Sequence, residues 1–268
     1  MRLGIRVVHP PAASAPATLR TLAQAAETLG YRSLWVDDPL RAGPAHTTHR
    51  SAVDLDPLSS LAYAAALTDR IQLGTCVRVG DGVPPHHLAR ALETVDRLSV
   101  GRLTVALVGS GEPGAVDPID EVLDARDGPW SPEGRRGPAR TRPGRQQRPP
   151  LLLTGSNAAA LTRVGRRGDG LFVTDPGPGP GLHRLAAAWA AVAGAAKASG
   201  REVDDLLLAV LVVVGASEPA PAVADRVHAV QALGATDVVL TVDDRPSLDE
   251  ALARYAATAE AVELEAVG

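Results

Sequence analysis

The sequence predicts an α/β protein of the (β/α)8 TIM-barrel class. Short, near-continuous apolar runs rich in β-branched residues recur from one end of the chain to the other, the pattern of parallel strands covered on both faces. Alanine-rich segments with apolar spacing near 3.6 separate them. Eight such strand–helix units in 268 residues match the roughly 250 residues typical of a barrel. Their even distribution, with no compositional break between halves, favours a closed barrel over a doubly wound open sheet. A single domain over residues 1–268 is expected.

In chain order the strand candidates are LGIRVV (3–8), SLWV (33–36), RIQLGTCV (70–77) and RLTVALV (102–108), then PLLLTG (150–155), GLFVT (170–174), LLLAVLVVV (206–214) and DVVLTV (237–242). Among the helices, HHLARALETVDRL places Leu88, Leu92, Val95 and Leu98 on one face, with Arg90, Glu93 and Arg97 elsewhere. TLRTLAQAAETLG closes on Gly30 and AVADRVHAVQALG on Gly234, each a helix stop that tolerates a left-handed residue. TGSNAAALTRVG opens on the capping residues Ser156 and Asn157 and runs to Gly165. One segment breaks the rhythm: an irregular Arg/Pro/Gly-rich excursion at about 113–149. Its densest part, DGPWSPEGRRGPARTRPGRQQRPP (127–150), carries six Arg, six Pro and four Gly against two acids.

The totals exclude several function classes. A net charge of −4 and a basic stretch without interleaved aromatics give no basis for nucleic-acid binding. No apolar run reaches the roughly 20 residues of a membrane span. MRLGIRVVHPP reads as a strand and a turn, not a signal peptide. The one cysteine, Cys76, forbids an internal disulfide and suits a reducing compartment. The expected setting is cytoplasmic.

In a barrel the chemistry sits where strands end. Those ends offer His9, then Asp37 and Asp38, then Thr75-Cys76-Val77, then Gly109-Ser110-Gly111-Glu112. Gly155-Ser156-Asn157, Thr174-Asp175 and Asp243-Asp244 follow. Gly155-Ser156-Asn157 opens directly into a helix, where free N–H groups and the helix dipole suit a phosphate. The same residues also make an ordinary capped strand–helix turn. His9 has an imidazole that titrates near neutrality and suits a proton shuttle, or it hydrogen-bonds a loop before Pro10. Cys76 reads as a small buried residue, not a nucleophile. His46 and His49 with Asp54 and Asp56 read as a solvated loop and no metal site is expected; His86 and His87 read as structural.

LGYRSLWVDDPL, LDPLSSLAYAAALTDRIQLGTCV, HHLARALETVDRLSVGRL, VGSGE and PLLLTGSNAAALTRVGRRGDGLFVT together resemble the luciferase-like superfamily of flavin- and F420-dependent oxidoreductases. VGSGEPG is most similar to the F420-dependent branch. The resemblance covers roughly residues 1–112 and 149–175. It implies a barrel holding F420, or alternatively FMN, at its mouth. Thr75, Cys76 and Val77 match a stretch that in many members bulges around a non-proline cis peptide and supports the ring. Asp38 matches the acid of an Asp-His pair, Ser110 and Gly111 match a loop that meets the cofactor, and Glu112 matches a proton donor. Gly155, Ser156 and Asn157 match a phosphate-cradling turn.

The chain departs from that pattern at Pro39, which stands where the family has His and has no proton to exchange. No aromatic residue follows in LRAGPAHTTHRSAVD. The expected function is hydride transfer between F420 and a small organic substrate, with Glu112 and His9 moving protons and Asp38 orienting the ring. The alternatives are an FMN-dependent monooxygenase served by a separate reductase, and a redox-inactive homologue that binds a ligand or partner. The resemblance also implies a homodimer.

Overall fold

The computed structural model describes residues 1–7, 16–37, 55–80, 83–109, 118–127, 148–175, 177, 179–215, 217–242 and 247–263. Within them, strands β1 (Arg2–Arg6), β2 (Ser33–Trp35), β3 (Gln72–Arg78), β4 (Leu103–Val108), β5 (Leu151–Leu153), β6 (Gly170–Thr174), β7 (Leu207–Val214) and β8 (Asp237–Val242) pair in sequence order into a closed barrel. Every pairing is parallel, from β1–β2 round to β1–β8. The barrel expected from the apolar runs is therefore present, with strand ends within two residues of the expected ones.

Helices α1 (Pro16–Thr28), α2 (Pro57–Leu67), α3 (Pro85–Leu98), α4 (Ile119–Asp127), α5 (Ala158–Arg167), α6 (Pro180–Ala198), α7 (Ala220–Ala232) and α8 (Leu248–Ala261) fill the connections. The excursion expected to be irregular over about 113–149 contains α4. It forms because Ile119, Val122 and Leu123 bury one face, while Asp120 and Glu121 sit in the first turn, where the helix dipole favours acids. Arg126 then anchors its last turn to Asp169 at 2.7 Å. In α3 the apolar stripe of Leu88, Leu92 and Val95 is buried, but Leu98 is 61% exposed. At about 100° per residue, Leu98 lies about 80° off the stripe begun by Leu88, and Ser99, which is buried, falls back on it. None of the helices described is long and apolar enough to cross a membrane.

Alternation along each strand divides the core in two. Leu3, Ile5, Leu34, Leu73, Val105 and Val210 point outward into the layer between sheet and helices. The opposite set fills the barrel: Trp35, Ala106, Leu152, Phe172, Ala209 and Val239, with Cys76 packed against them. Trp35 and Phe172 are in contact, ring centroids 5.2 Å apart and planes tilted by 33°. They fit because their neighbours are small. Gly74, in register with Trp35, leaves room for the indole, since a Cβ there would run into the ring. The Trp35 Nε1–H donates to the Ser33 hydroxyl at 3.1 Å, which satisfies its one buried donor.

At the N-terminal pole Arg2 makes a two-pronged contact with Asp237, Nε to Oδ1 at 2.7 Å and Nη2 to Oδ2 at 2.8 Å. At the opposite pole Arg226 of α7 gathers the ends of β6 and β7. It donates to Asp175 Oδ2 at 2.7 and 2.8 Å, to Glu218 at 2.8 Å and to the Val213 carbonyl at 2.9 Å. Asp175 is thus a structural anchor, and its Oδ1 accepts from the Gly177 N–H. Burial alone would raise the Glu218 carboxyl, but the Arg226 and Gly215 hydrogen bonds and the Arg226 charge outweigh it and hold it below its ordinary value.

Candidate active site

Following the inward row of each strand to the C-terminal end reaches Arg6 on β1, Asp37 just past β2, and Cys76 and Arg78 on β3. Val108, Thr154, Thr174, Val213 and Thr241 complete the ring. Among the described residues this ring is lopsided: its charges lie on the β1–β3 side, and the rest of it is apolar or hydroxylic. The Trp35–Phe172 pair forms its floor.

Asp37 is the centre of the charged side. It is 8% exposed, its Oδ2 lies 3.3 Å from Arg6 Nε, and its Oδ1 accepts the Cys76 backbone N–H at 2.9 Å. That last bond has a local cause. In the β2–β3 ladder Val36 N–H donates to the Gly74 carbonyl, and then the ladder stops; the Asp37 carboxylate takes the next N–H in place of a backbone acceptor. Arg78 donates to the Gly109 carbonyl at 3.2 Å, holding the end of β4. The Cys76 thiol is pushed well above its ordinary value by burial and then by the Asp37 carboxylate, against a smaller opposing effect of Arg6. It stays a neutral thiol, in keeping with its expected role as a packing residue.

Of the cofactor stretch Thr75-Cys76-Val77, only Cys76 faces the barrel interior. The side chains of Thr75 and Val77 turn outward, Thr75 fully buried and Val77 packed in the outer core. The expected bulge and cis peptide are also not found here. β3 stays in continuous register with β4 from Leu73↔Leu103 to Arg78↔Val108, a ladder that leaves no room for an extra residue, and no cis peptide occurs among the described residues.

Across the mouth, the turn after β5 is built as the sequence suggests. Gly155 has φ +151°, and a Cβ there would collide with that of Ala160. Asn157 is the N-cap of α5, its Oδ1 accepting the Ala160 N–H at 2.8 Å. Ser156, Asn157, Ala158 and Ala159 are exposed, so the N-terminus of α5 opens to solvent at the C-terminal face.

His9, Asp38, Ser110, Gly111 and Glu112 lie outside the described residues, as do Pro39, His46, His49, Asp54, Asp243 and Asp244. Asp56 caps α2, accepting the Ser59 N–H at 2.7 Å. His86 and His87 are exposed at the start of α3, their rings edge to face at 4.3 Å. Sequence reasoning overlooked Arg6 and Arg78 and passed over Asp37 in favour of Asp38. Strand alternation carried the signal: Arg6, Asp37 and Arg78 each stand two residues beyond an inward Gly4, Trp35 or Cys76.

Residues 2–126 match the family described as luciferase-like monooxygenase. An uncharacterized protein of Mycobacterium tuberculosis is 37% identical over 101 residues, a match covering 33% of this chain and 36% of that protein. Among solved structures, the monooxygenase RslO1 from Streptomyces bottropensis superposes with a TM-score of 0.74 at 18% identity, over 98% of this chain and 99% of its own. The coenzyme F420-dependent tetrahydromethanopterin reductase from Methanopyrus kandleri superposes with a TM-score of 0.70 at 16% identity, over 98% and 99%. At these identities the superpositions speak for the fold alone. The match over residues 2–126 and the closed barrel both support the luciferase-like superfamily.

Proposed function

We propose that the protein is an F420-dependent oxidoreductase that transfers hydride to or from a small organic substrate at the C-terminal mouth of its barrel. The observation that carries this reading is the Thr154–Asn157 turn. Only glycine fits at 155, and the turn brings the open N-terminus of α5 to the face that holds the Arg6–Asp37 pair. This fits a cofactor with an anionic tail and a flat head. Gly155, Ser156 and Asn157 would hold the tail through backbone N–H groups and the helix dipole, with Cys76 beneath the head.

When bound, F420 supplies the hydride donor or acceptor. The chain's own residues supply the rest. The Trp35–Phe172 floor closes the barrel below the site and keeps water from it. From the sequence resemblance, Asp38, Ser110 and Gly111 orient the ring, and Glu112 with His9 holds and delivers the proton that accompanies hydride transfer. The reading includes a homodimer. It is supported by α2, which has no charged residue between Pro57 and Leu67 and leaves Leu58 and Ala62 lining an open groove of about 610 Å³ against α3. Light scattering of the purified chain tests it.

A second reading, an FMN-dependent monooxygenase fed by a separate reductase, is supported by the family match and by the likeness to RslO1. Titration of the purified protein with F420 and with FMN, followed by absorbance and fluorescence, separates the two. Binding of F420 alone is the expected result. FMN binding with flavin-dependent oxygen uptake favours the second, and binding of neither overturns both in favour of a redox-inactive homologue. With the binding cofactor in place, Glu112→Gln is expected to lose turnover and keep cofactor affinity.

A further inference from the structure

We propose that Arg6 is a substrate-recognising group, selecting a small organic anion whose carboxylate, sulfonate or phosphate docks on its guanidinium; this rests on the reading above for treating the mouth as the place where substrate sits. A guanidinium is out of character where it stands. The inward row of β1 runs from Gly4 to Arg6, and the interior below is filled by Trp35, Phe172 and small aliphatic residues.

Its polar environment is incomplete. Among the described residues the guanidinium's one polar contact is with Asp37, at 3.3 Å from Nε, and Nε is buried without a hydrogen bond. The side chain is 21% exposed, and the terminal nitrogens are the part that reaches the mouth. Asp37 is an anchor for this cation more than an acceptor for its fork, because Oδ1 is committed to the Cys76 N–H. The terminal N–H groups, which unlike Nε are not among the atoms buried without a hydrogen bond, are thereby left for a ligand, in the planar arrangement that matches a carboxylate or phosphate in two-pronged fashion. Continuing the β1–β8 register one step past Ile5↔Leu240 brings the buried Thr241 beside Arg6, a hydroxyl that can complete the anion's hydrogen bonds. The neighbouring Cys76 thiol stays neutral and does not repel it.

Strand order assigns this anion to the substrate and not to the cofactor tail. The turn that suits the tail follows β5, and β1 stands four places round the eight-strand barrel from β5, on the opposite wall. A tail held at α5 and an anion held at Arg6 therefore face each other across the mouth.

The probe is trifluoroacetate, observed by 19F NMR against purified protein without cofactor, with trifluoroethanol as the neutral counterpart. Saturable broadening is expected for trifluoroacetate and not for trifluoroethanol. Arg6→Gln, and the charge-balanced Arg6→Gln/Asp37→Asn variant, are expected to weaken the anion roughly tenfold or more, with Arg6→Lys in between. Circular dichroism melts establish that each variant is folded, and the N-terminus of α5 makes only the Arg6-dependent fraction informative. Equal anion binding by wild type and the double variant overturns the proposal, as does equal binding of the alcohol. F420 and FMN titrations of the double variant identify the source of the anion. Unchanged cofactor affinity keeps it on the substrate, whereas a parallel loss moves Arg6 to the cofactor and overturns the assignment. Cofactor binding without anion binding removes this inference alone. Anion binding through Arg6 with neither cofactor bound removes the oxidoreductase reading and leaves the anion site.

Discussion

Gly74→Ala tests how the floor of the mouth is built. A Cβ at position 74 would lie 2.7 Å from Cε3 of Trp35 and nearer still to Cδ2 and Cε2. The indole has nowhere to go: it is 2% exposed, its Nε1–H is bound to Ser33, and its ring rests against Phe172. Relieving the overlap costs about 1–3 kcal/mol as overpacking, and losing the Ser33 hydrogen bond adds about 1 kcal/mol, so a loss of roughly 2–4 kcal/mol is expected. Trp35→Ala alone removes the ring and costs about 3–5 kcal/mol through the cavity it leaves. In the double variant the new methyl group no longer strikes an indole, so the loss stays near that of Trp35→Ala, with a favourable coupling of about 2–4 kcal/mol. Urea unfolding of the four proteins at one pH gives all the terms. If Gly74→Ala stays within about 0.5 kcal/mol of wild type, or the two losses simply add, then the indole does not lie over Gly74 and the reasoning is refuted.

Gly155→Ala is expected to cost about 1–3 kcal/mol in a thermal melt, from its backbone conformation and the collision with Ala160, and to weaken the cofactor that binds; unchanged cofactor affinity takes the turn out of the site. Arg226→Gln strands Asp175, 2% exposed, together with Glu218, and is expected to cost about 3–5 kcal/mol in urea unfolding. Because the folded Glu218 carboxyl is held below its unfolded value, its contribution is complete above the ordinary carboxylate range and is lost as pH falls through the folded value. The variant's melting temperature is therefore expected to fall less steeply than wild type's on acidification below roughly pH 5, and parallel curves would contradict this. Asp96 has the opposite sign. Burial raises its carboxyl against the Leu103 N–H, with Glu93 adding to the rise, so the folded state holds its proton more tightly and stability falls as pH rises through that window. Asp96→Asn keeps an oxygen for the Leu103 N–H at 3.3 Å and is expected to melt at or above wild type at neutral pH, an advantage that disappears in acid.

The barrel was legible in the sequence because its signal is local. Runs such as LLLAVLVVV and DVVLTV are apolar throughout, since both faces of a parallel strand are covered, and the chain repeats that signal eight times with a helix between. The α5 turn was legible for the same reason: glycine, cap and helix are neighbours in sequence. α4 was missed because its nine residues stand inside an Arg/Pro/Gly-rich surrounding that masks three buried apolar positions.

By itself, then, the amino-acid order determined the class of fold, the succession of strands and helices, and the place of the capped glycine turn into α5. Only the closed barrel decided which side chains meet. The inward row that holds Trp35 continues to Asp37, and it is Asp37 that pairs with Arg6, 31 positions away. The same rule turned Thr75 and Val77 outward and left Cys76 inside. Pattern along a strand follows from the order of residues. Which wall of the mouth carries charge, and which carries the helix terminus opposite, depends on pairing β8 back onto β1, a contact between the two ends of the sequence.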